Sequence, residues 1–193
     1  MDGMHKHVRK EARIIGIDDG PFFKFRKGKV LIVGVIYRGG QYMDGVITSS
    51  AKVDGADSTK NIAKMINESK FKSQLRCIML KGIAVGGFNM IDLVSLSKLT
   101  KLPVIAVTRQ NPDIPFIIKT LVRLGMGDKV KLITQLPQPT KIGKVYVQYI
   151  NIDLAKTKEF LKVTTVHSYI PEPLRIAHII AAGIVKGESR GRA

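Results

Sequence analysis

Apolar residues along this chain fall into short runs, each bounded by glycine, proline or charge. Residues 13–18 (RIIGID) form one such run, which ends on the carboxylates Asp18 and Asp19 before Gly20 and Pro21 break it. That pattern predicts a buried strand whose end presents acid groups. Residues 30–37 and 42–52 read as two more strands, with turn residues near Gly39-Gly40 between them, hence a hairpin. Asp57 or Ser58 can cap a helix over 60–69, with Ile62, Met65 and Ile66 on one face. Residues 75–80 are strand-like again. Gly82, Gly86 and Gly87 make a flexible connection, and Asn89 reads as the cap of a helix carrying Ile91, Val94 and Leu99. A short strand at 103–107 precedes a helix opened by Pro112, which holds Ile117, Ile118, Leu121 and Val122 and stops at Gly125 or Gly127. Pro137 and Pro139 interrupt any element near them, and 144–150 alternates as a strand. One helix then starts at Asp153 or Thr157. A final helix runs from Pro171 and Pro173 to Lys186, with Leu174, Ala177, Ile180, Ala181 and Ile184 inward. Residues 1–12 and 187–193 read as loose tails.

Hairpin strands first and parallel strands later imply an α/β fold, a mixed sheet with helices on both faces. The ribonuclease H-like architecture has this order of elements. At 193 residues and 45% hydrophobic content, a single domain (1–193) with a sizeable core is expected. Cys77 is the only cysteine, which excludes an intrachain disulfide and any multi-cysteine metal site. It reads as a small buried residue of a strand. No apolar run approaches the length of a membrane span, and the polar N-terminus has no signal-like core. A cytoplasmic protein with no membrane partner is the expectation.

Charge changes this picture. Lysine and arginine number 32 against 15 acidic residues, a net +17. Between Asp19 and Asp44 every charge is positive: Lys24, Arg26, Lys27, Lys29 and Arg38. From Lys98 to Lys144 nine basic residues face only Asp113 and Asp128. Such an excess favours a polyanion, above all nucleic acid. The alternative is a lysine-rich surface that only maintains solubility. Aromatic residues are 6% of the chain, so stacking platforms are few.

The candidate chemistry begins at Asp18. Two or three carboxylates meeting there would hold Mg²⁺, which prefers oxygen ligands. Alternatively, Asp18 and Asp19 bond turn amides beside Gly20. Asp54 and Asp57 flank a strand-to-helix junction where capping is the simpler role. Gly82, Gly86 and Gly87 are not a phosphate loop, because Lys81 precedes them rather than following. His5 and His7 lie in the tail, and His167 suits a surface or cap position. His178 sits inside the last helix, one turn after Arg175, where it is either structural or functional. Arg175 can meet Glu172 at i,i+3 or a phosphate.

Three blocks, RIIGIDDGPF, GIAVGGFNMIDLVSLSKLTKLPVIAVTR and YIPEPLRIAHIIAAGIVKGESRGRA, run in order from residue 13 to the end. Together they resemble an uncharacterised, mainly archaeal family related to endonuclease V. The resemblance implies a ribonuclease H-like fold, binding to DNA or RNA, and Mg²⁺-dependent cutting of a strand near a deaminated adenine. Gly16-Ile17-Asp18 resembles the strand end carrying the first catalytic aspartate, which makes Asp18 the principal metal ligand. Residues 171–177 resemble a Pro-Glu-Pro-x-Arg-x-Ala segment followed by Asp or His near the metal. Here that residue is His178, which would orient water or leaving group. Asp54 is a loose counterpart of a third carboxylate ligand.

The middle strand departs from the pattern. Endonuclease V has an Asp-Gly pair there, and relatives of this chain usually show Leu-Asp-Gly-Ile. This chain has Leu80-Lys81-Gly82-Ile83. An ammonium cannot ligate Mg²⁺ and repels it. The strand-separating wedge motif of endonuclease V is not visible either. Two readings therefore stand. One is a Mg²⁺-dependent phosphodiester hydrolase with a weakened site of Asp18, Asp54 and His178. The other is a non-catalytic nucleic-acid-binding or interaction protein, with Lys81 neutralising Asp18 or a phosphate. Arg109 and Arg175 are further candidates for nucleic-acid contact. The resemblance puts Asp18 and Lys81 on adjacent parallel strands, with His178 facing the same cleft. A Lys81–Asp18 ion pair would favour binding.

Overall fold

A computed structural model describes residues 7–23 and 26–189. In chain order the elements are β1 (Arg13–Asp19), β2 (Lys29–Arg38), β3 (Tyr42–Lys52), α1 (Ser58–Asn67), β4 (Leu75–Lys81), β5 (Ala84–Val85) and β6 (Asn89–Met90). Then come α2 (Leu93–Thr100), β7 (Val104–Thr108), α3 (Ile114–Arg123), α4 (Val130–Thr134), β8 (Thr140–Ile142), β9 (Val145–Ile150), α5 (Leu154–Thr164) and α6 (Glu172–Lys186). Seven strands form one mixed sheet in the order β3-β2-β1-β4-β7-β9-β8, and β5 pairs separately with β6. This is a mixed α/β architecture of ribonuclease H-like type, with helices on both faces. Among the described residues no helix is long and apolar enough to cross a membrane.

The period of two along β1 divides the core. Ile15 and Ile17 point into a layer shared with Ile62 and Ile66 of α1 and Leu93 and Leu96 of α2. Ile14 points the other way, to Phe160 and Leu161 of α5 and Leu174 of α6. Cys77 and Met79 of β4 join Ile14 on that second face. Burial pushes the Cys77 thiol far above its ordinary range, so it is an inert packing residue.

Gly16 lies on the α6 face of β1. A Cβ built there would sit 2.3 Å from the Pro173 carbonyl carbon and 2.6 Å from the Leu174 nitrogen. The first turn of α6 thus lies directly against the strand backbone, a contact only glycine permits. That turn is fixed by Glu172, which is buried and accepts from the His167 backbone N–H at 3.0 Å. Arg175 donates to the same carboxylate through Nε at 2.9 Å and Nη2 at 2.6 Å. Across the sheet, Asp44 of β3 locks the hairpin by accepting from Arg13 at 2.6 Å and Arg38 at 2.8 Å.

Several sequence expectations need correction. The later strands are not all parallel. β1, β4 and β7 are, but β9 runs antiparallel to β7, and β8 runs antiparallel to β9. The glycines at 82, 86 and 87 do not form a loose connection, since Gly82 precedes the β5–β6 hairpin and Gly86 and Gly87 lie in its turn. The first helix begins two residues earlier than expected, at Ser58. Asp57 is its N-cap by position but makes no side-chain cap bond. Asn89 caps no helix that follows it. Its Oδ1 accepts from the Ser58 N–H, so it caps α1 across space, while Asp92 caps α2 through Ser95. Likewise Asp113, not Pro112, opens α3. Periodicity puts Leu99 on the apolar stripe of α2 and Ile184 on that of α6, yet both are exposed. The N-terminal tail is anchored from His7 onward, by His7 and Val8 bonds to Glu159. His5, Lys24 and residues 190–193 lie outside the described residues.

Candidate functional site

β1 and β4 end side by side, with Ile17 level with Leu80. The next residues are therefore Asp18 and Lys81, and both side chains fall on the α6 face. Lys81 Nζ donates to Asp18 Oδ2 at 3.0 Å. His178 Nδ1 lies 2.9 Å from the same oxygen and 2.9 Å from Lys81 Nζ. The second carboxylate oxygen, Oδ1, accepts from the Asp19 backbone N–H at 2.9 Å. Asp18 is only 4% exposed, whereas the Lys81 and His178 side chains are 29% and 26% exposed.

This triangle restricts the proton arrangement. A charged ammonium can donate to both Asp18 Oδ2 and His178 Nδ1. A proton on Nδ1 would instead donate to Asp18 Oδ2, 2.9 Å away, with the ammonium beside it. The ring therefore meets the pair in one of two ways, with Nδ1 accepting from Lys81 or with Nδ1–H donating to Asp18 Oδ2. In the first arrangement Nε2 carries the ring proton and Lys81 has one N–H left.

Asp19 follows the pleat to the opposite face and accepts from the Gly86 N–H at 2.7 Å. Burial pushes its carboxyl up to about 6, the Gly86 bond pulls it down, and the neighbouring Asp18 charge pushes it up again. The cluster opens into a cleft of about 590 Å³ lined by Asp18, Lys81 and His178 together with Phe22, Phe23 and Val185. Phe23 is 75% exposed, and the Arg26 guanidinium sits 5.4 Å from its ring centre.

The remaining candidates are placed elsewhere. Asp54 follows β3, on the far side of β2 from β1, and does not line the cleft. It adopts φ +55°, and its Oδ1 accepts from the Phe88 N–H at 2.8 Å. Arg109 is exposed just beyond β7, at the same end of the sheet as Lys81. Arg175 is held by Glu172 in the first turn of α6. One residue that sequence reasoning does not single out is Lys129, which is buried and bonded to the loops beside Asp54. The only hint in the sequence is its place just after Gly127-Asp128, next to an apolar stretch.

The Endonuclease dU family model matches residues 10–185. The chain belongs to that family. A UPF0215 protein of Methanothermobacter thermautotrophicus is 43% identical over 97% of this chain and 95% of its own length. A Methanosarcina acetivorans UPF0215 protein is 41% identical over 97% of both. Among solved structures, an Archaeoglobus fulgidus protein superposes with TM-score 0.83 at 32% identity, covering 91% of this chain and 99% of that one. Bacillus subtilis endonuclease V gives 0.62 at 9% identity, over 96% and 86%. Ciona intestinalis endonuclease V, solved with a 24mer DNA containing an inosine followed by a ribo-adenosine, gives 0.57 at 14% identity, over 89% and 88%. These last two likenesses establish a shared fold.

In this Endonuclease dU family member the donor set does not suit Mg²⁺. Both Asp18 oxygens are engaged by N–H donors, and an ammonium stands at hydrogen-bond distance. Among the described residues no group of three or more His, Cys, Asp and Glu side chains is arranged to hold a metal ion. Asp54, the second expected ligand, spends its side chain on Phe88.

Proposed function

We propose that this chain is an endonuclease V-type nucleic-acid-binding protein, and that a backbone phosphate enters the cleft to meet Lys81 and His178. The observation carrying this reading is the Lys81–Asp18–His178 triangle at the strand ends. It sets a partly exposed ammonium, paired with one carboxylate, and an imidazole at the mouth of the cleft, where a phosphate can compete for the ammonium. The net charge of +17 supports the same partner class, and Arg109 is exposed at the same end of the sheet as Lys81. The family's description points to DNA containing deoxyuridine as the substrate class to try first. The endonuclease V neighbour solved with DNA supports nucleic acid in general.

A second reading, phosphodiester hydrolysis, draws on the family's description as an endonuclease. It requires Asp18 to be released from Lys81, and the partly exposed lysine has room to turn toward solvent. Binding with weak or absent Mg²⁺-dependent cleavage is the better account, because no donor set among the described residues replaces the lost ligand.

Fluorescence anisotropy with labelled duplexes, with and without deoxyuridine, and with RNA, tests the proposal. Affinity should fall with salt at a log–log slope of about −0.9 per duplex phosphate neutralised. Lys81→Gln should weaken binding by about five- to tenfold and flatten that slope by about one phosphate. Undetectable binding at low ionic strength would overturn the proposal. A wild-type protein that nicks DNA with Mg²⁺ and loses this on Asp18→Ala would establish the hydrolase reading instead.

A further inference from the structure

Lys129 ends a 3-10 turn, Gly127–Lys129, that leads into α4, and it is only 7% exposed. A lysine this deep needs partners for its charge. Its partners are main-chain oxygens. Nζ donates to the carbonyls of Asp54 at 2.8 Å, Gly55 at 2.8 Å and Phe88 at 2.7 Å. Met126 Sδ lies 3.9 Å away. All three ammonium protons are thus engaged, in the kind of carbonyl cage that would suit a small monovalent cation. Burial lowers the Lys129 pKa, while the Asp128 and Asp54 charges raise it.

The cage joins two loops from different parts of the chain. One follows β3, and the other connects β5 to β6. The same loops meet again where the Asp54 N–H donates to Gly86 O at 2.8 Å and the Phe88 N–H donates to Asp54 Oδ1 at 2.8 Å. Gly86 in turn donates to Asp19 Oδ2. A continuous path of hydrogen bonds thus leads from Lys129 to Asp19, whose N–H holds Asp18. Asp54, Gly86 and Gly87 all adopt positive φ, which turns the backbone back on itself here. Without a cation, three carbonyl dipoles would face one another with no donor between them.

We propose that Lys129 is a positioning residue for the Asp18 cleft, a built-in cation whose carbonyl cage fixes these loops and, through Gly86, the Asp19 side of the site. Its relevance to function rests on the cleft reading above, but the loop order itself does not. A cavity of about 340 Å³ lined by Gly55, Ala56, Asp128 and Lys129 gives small ions a route in. Lys129→Ala keeps Cβ and removes three carbons and the ammonium, the dimensions of n-propylammonium.

Amide hydrogen exchange tests the proposal. In Lys129→Ala the Gly86 and Phe88 amides should exchange about tenfold faster or more, while core amides such as Ile78 change far less. Added n-propylammonium should restore their protection, and tetramethylammonium, which has no N–H, should not at equal ionic strength. DNA affinity, measured on the same samples, should fall and recover in step. Loop protection unchanged in the variant, or lost and not restored by n-propylammonium, would overturn the proposal. Protection that behaves as described in a protein that binds no DNA would sustain the loop assignment and remove the nucleic-acid reading. If the variant does not fold, the wild-type protein decides through its ¹⁵N lysine ammonium spectrum. A slowly exchanging Lys129 signal supports the cage, and its absence overturns it.

Discussion

Lys81→Asp is expected to convert the end of β4 from a site that repels divalent cations into one that binds them. The change moves the local charge by two units and frees Asp18 Oδ2 from the ammonium that lies 3.0 Å away. Asp18, the introduced carboxylate and His178 would then surround one point with oxygen and nitrogen donors. The affinity for Mn²⁺ or Mg²⁺ should rise by about a hundredfold or more, some 2.7 kcal/mol. Isothermal titration or Mn²⁺ relaxation measures this directly. Metal binding should precede any nicking, because a third carboxylate is still missing while Asp54 is bonded to Phe88. A folded Lys81→Asp protein that binds no more metal than wild type would show that Lys81 is not the obstacle.

The second large effect is expected at Gly16. An alanine methyl there would fall 2.3 Å from main-chain carbon of Pro173, so α6 must retreat from β1 by about 1 Å or more to reach ordinary contact. Backbone cannot yield as a side-chain tip does. The cost should be about 3 kcal/mol or more, or failure to fold. His178 rides on the same helix and should lose its place beside Asp18 Oδ2. Gly183, farther along α6, provides the control. A Cβ there meets nothing within 4 Å, and Gly183→Ala should stabilise the helix by about 0.5–1 kcal/mol. Urea denaturation of the two variants separates the cases. Equal midpoints would mean that the helix does not need to lie so close to the strand.

The parts legible in the sequence are those governed by local rules. The β1 run with its two terminal carboxylates, and the hairpin turning near Gly39-Gly40, follow from alternation and turn chemistry over a few residues. The lysine in the middle strand stands out beside the family resemblance, since it breaks an otherwise matching pattern. Elements settled by distant partners are not legible. The direction of β9 depends on how the stretch after β7, with α3, α4 and β8, returns to the sheet, and no periodicity encodes that. Asn89 has the chemistry of a cap, but its N–H partner is Ser58, 31 residues earlier. Lys129 is hidden for a related reason. Its partners are carbonyls, which every residue carries, and they lie 41 to 75 positions away. The exposure of Leu99 and Ile184 shows the limit of face assignment, since a helical stripe can continue past the surface it packs on.

The ion pair between Lys81 and Asp18 makes the protein its own competitor. Any anion reaching for the ammonium must displace a carboxylate tethered beside it, and a tethered group acts at a high effective concentration. Single small anions, such as free phosphate or a mononucleotide, are poorly equipped for that contest. A polymer held elsewhere on this basic protein brings its next phosphate to the cleft at a comparable effective concentration. The closed pair would thus act as a threshold, keeping the cleft shut to monomeric anions that are abundant in solution and opening it to a chain held at several points at once.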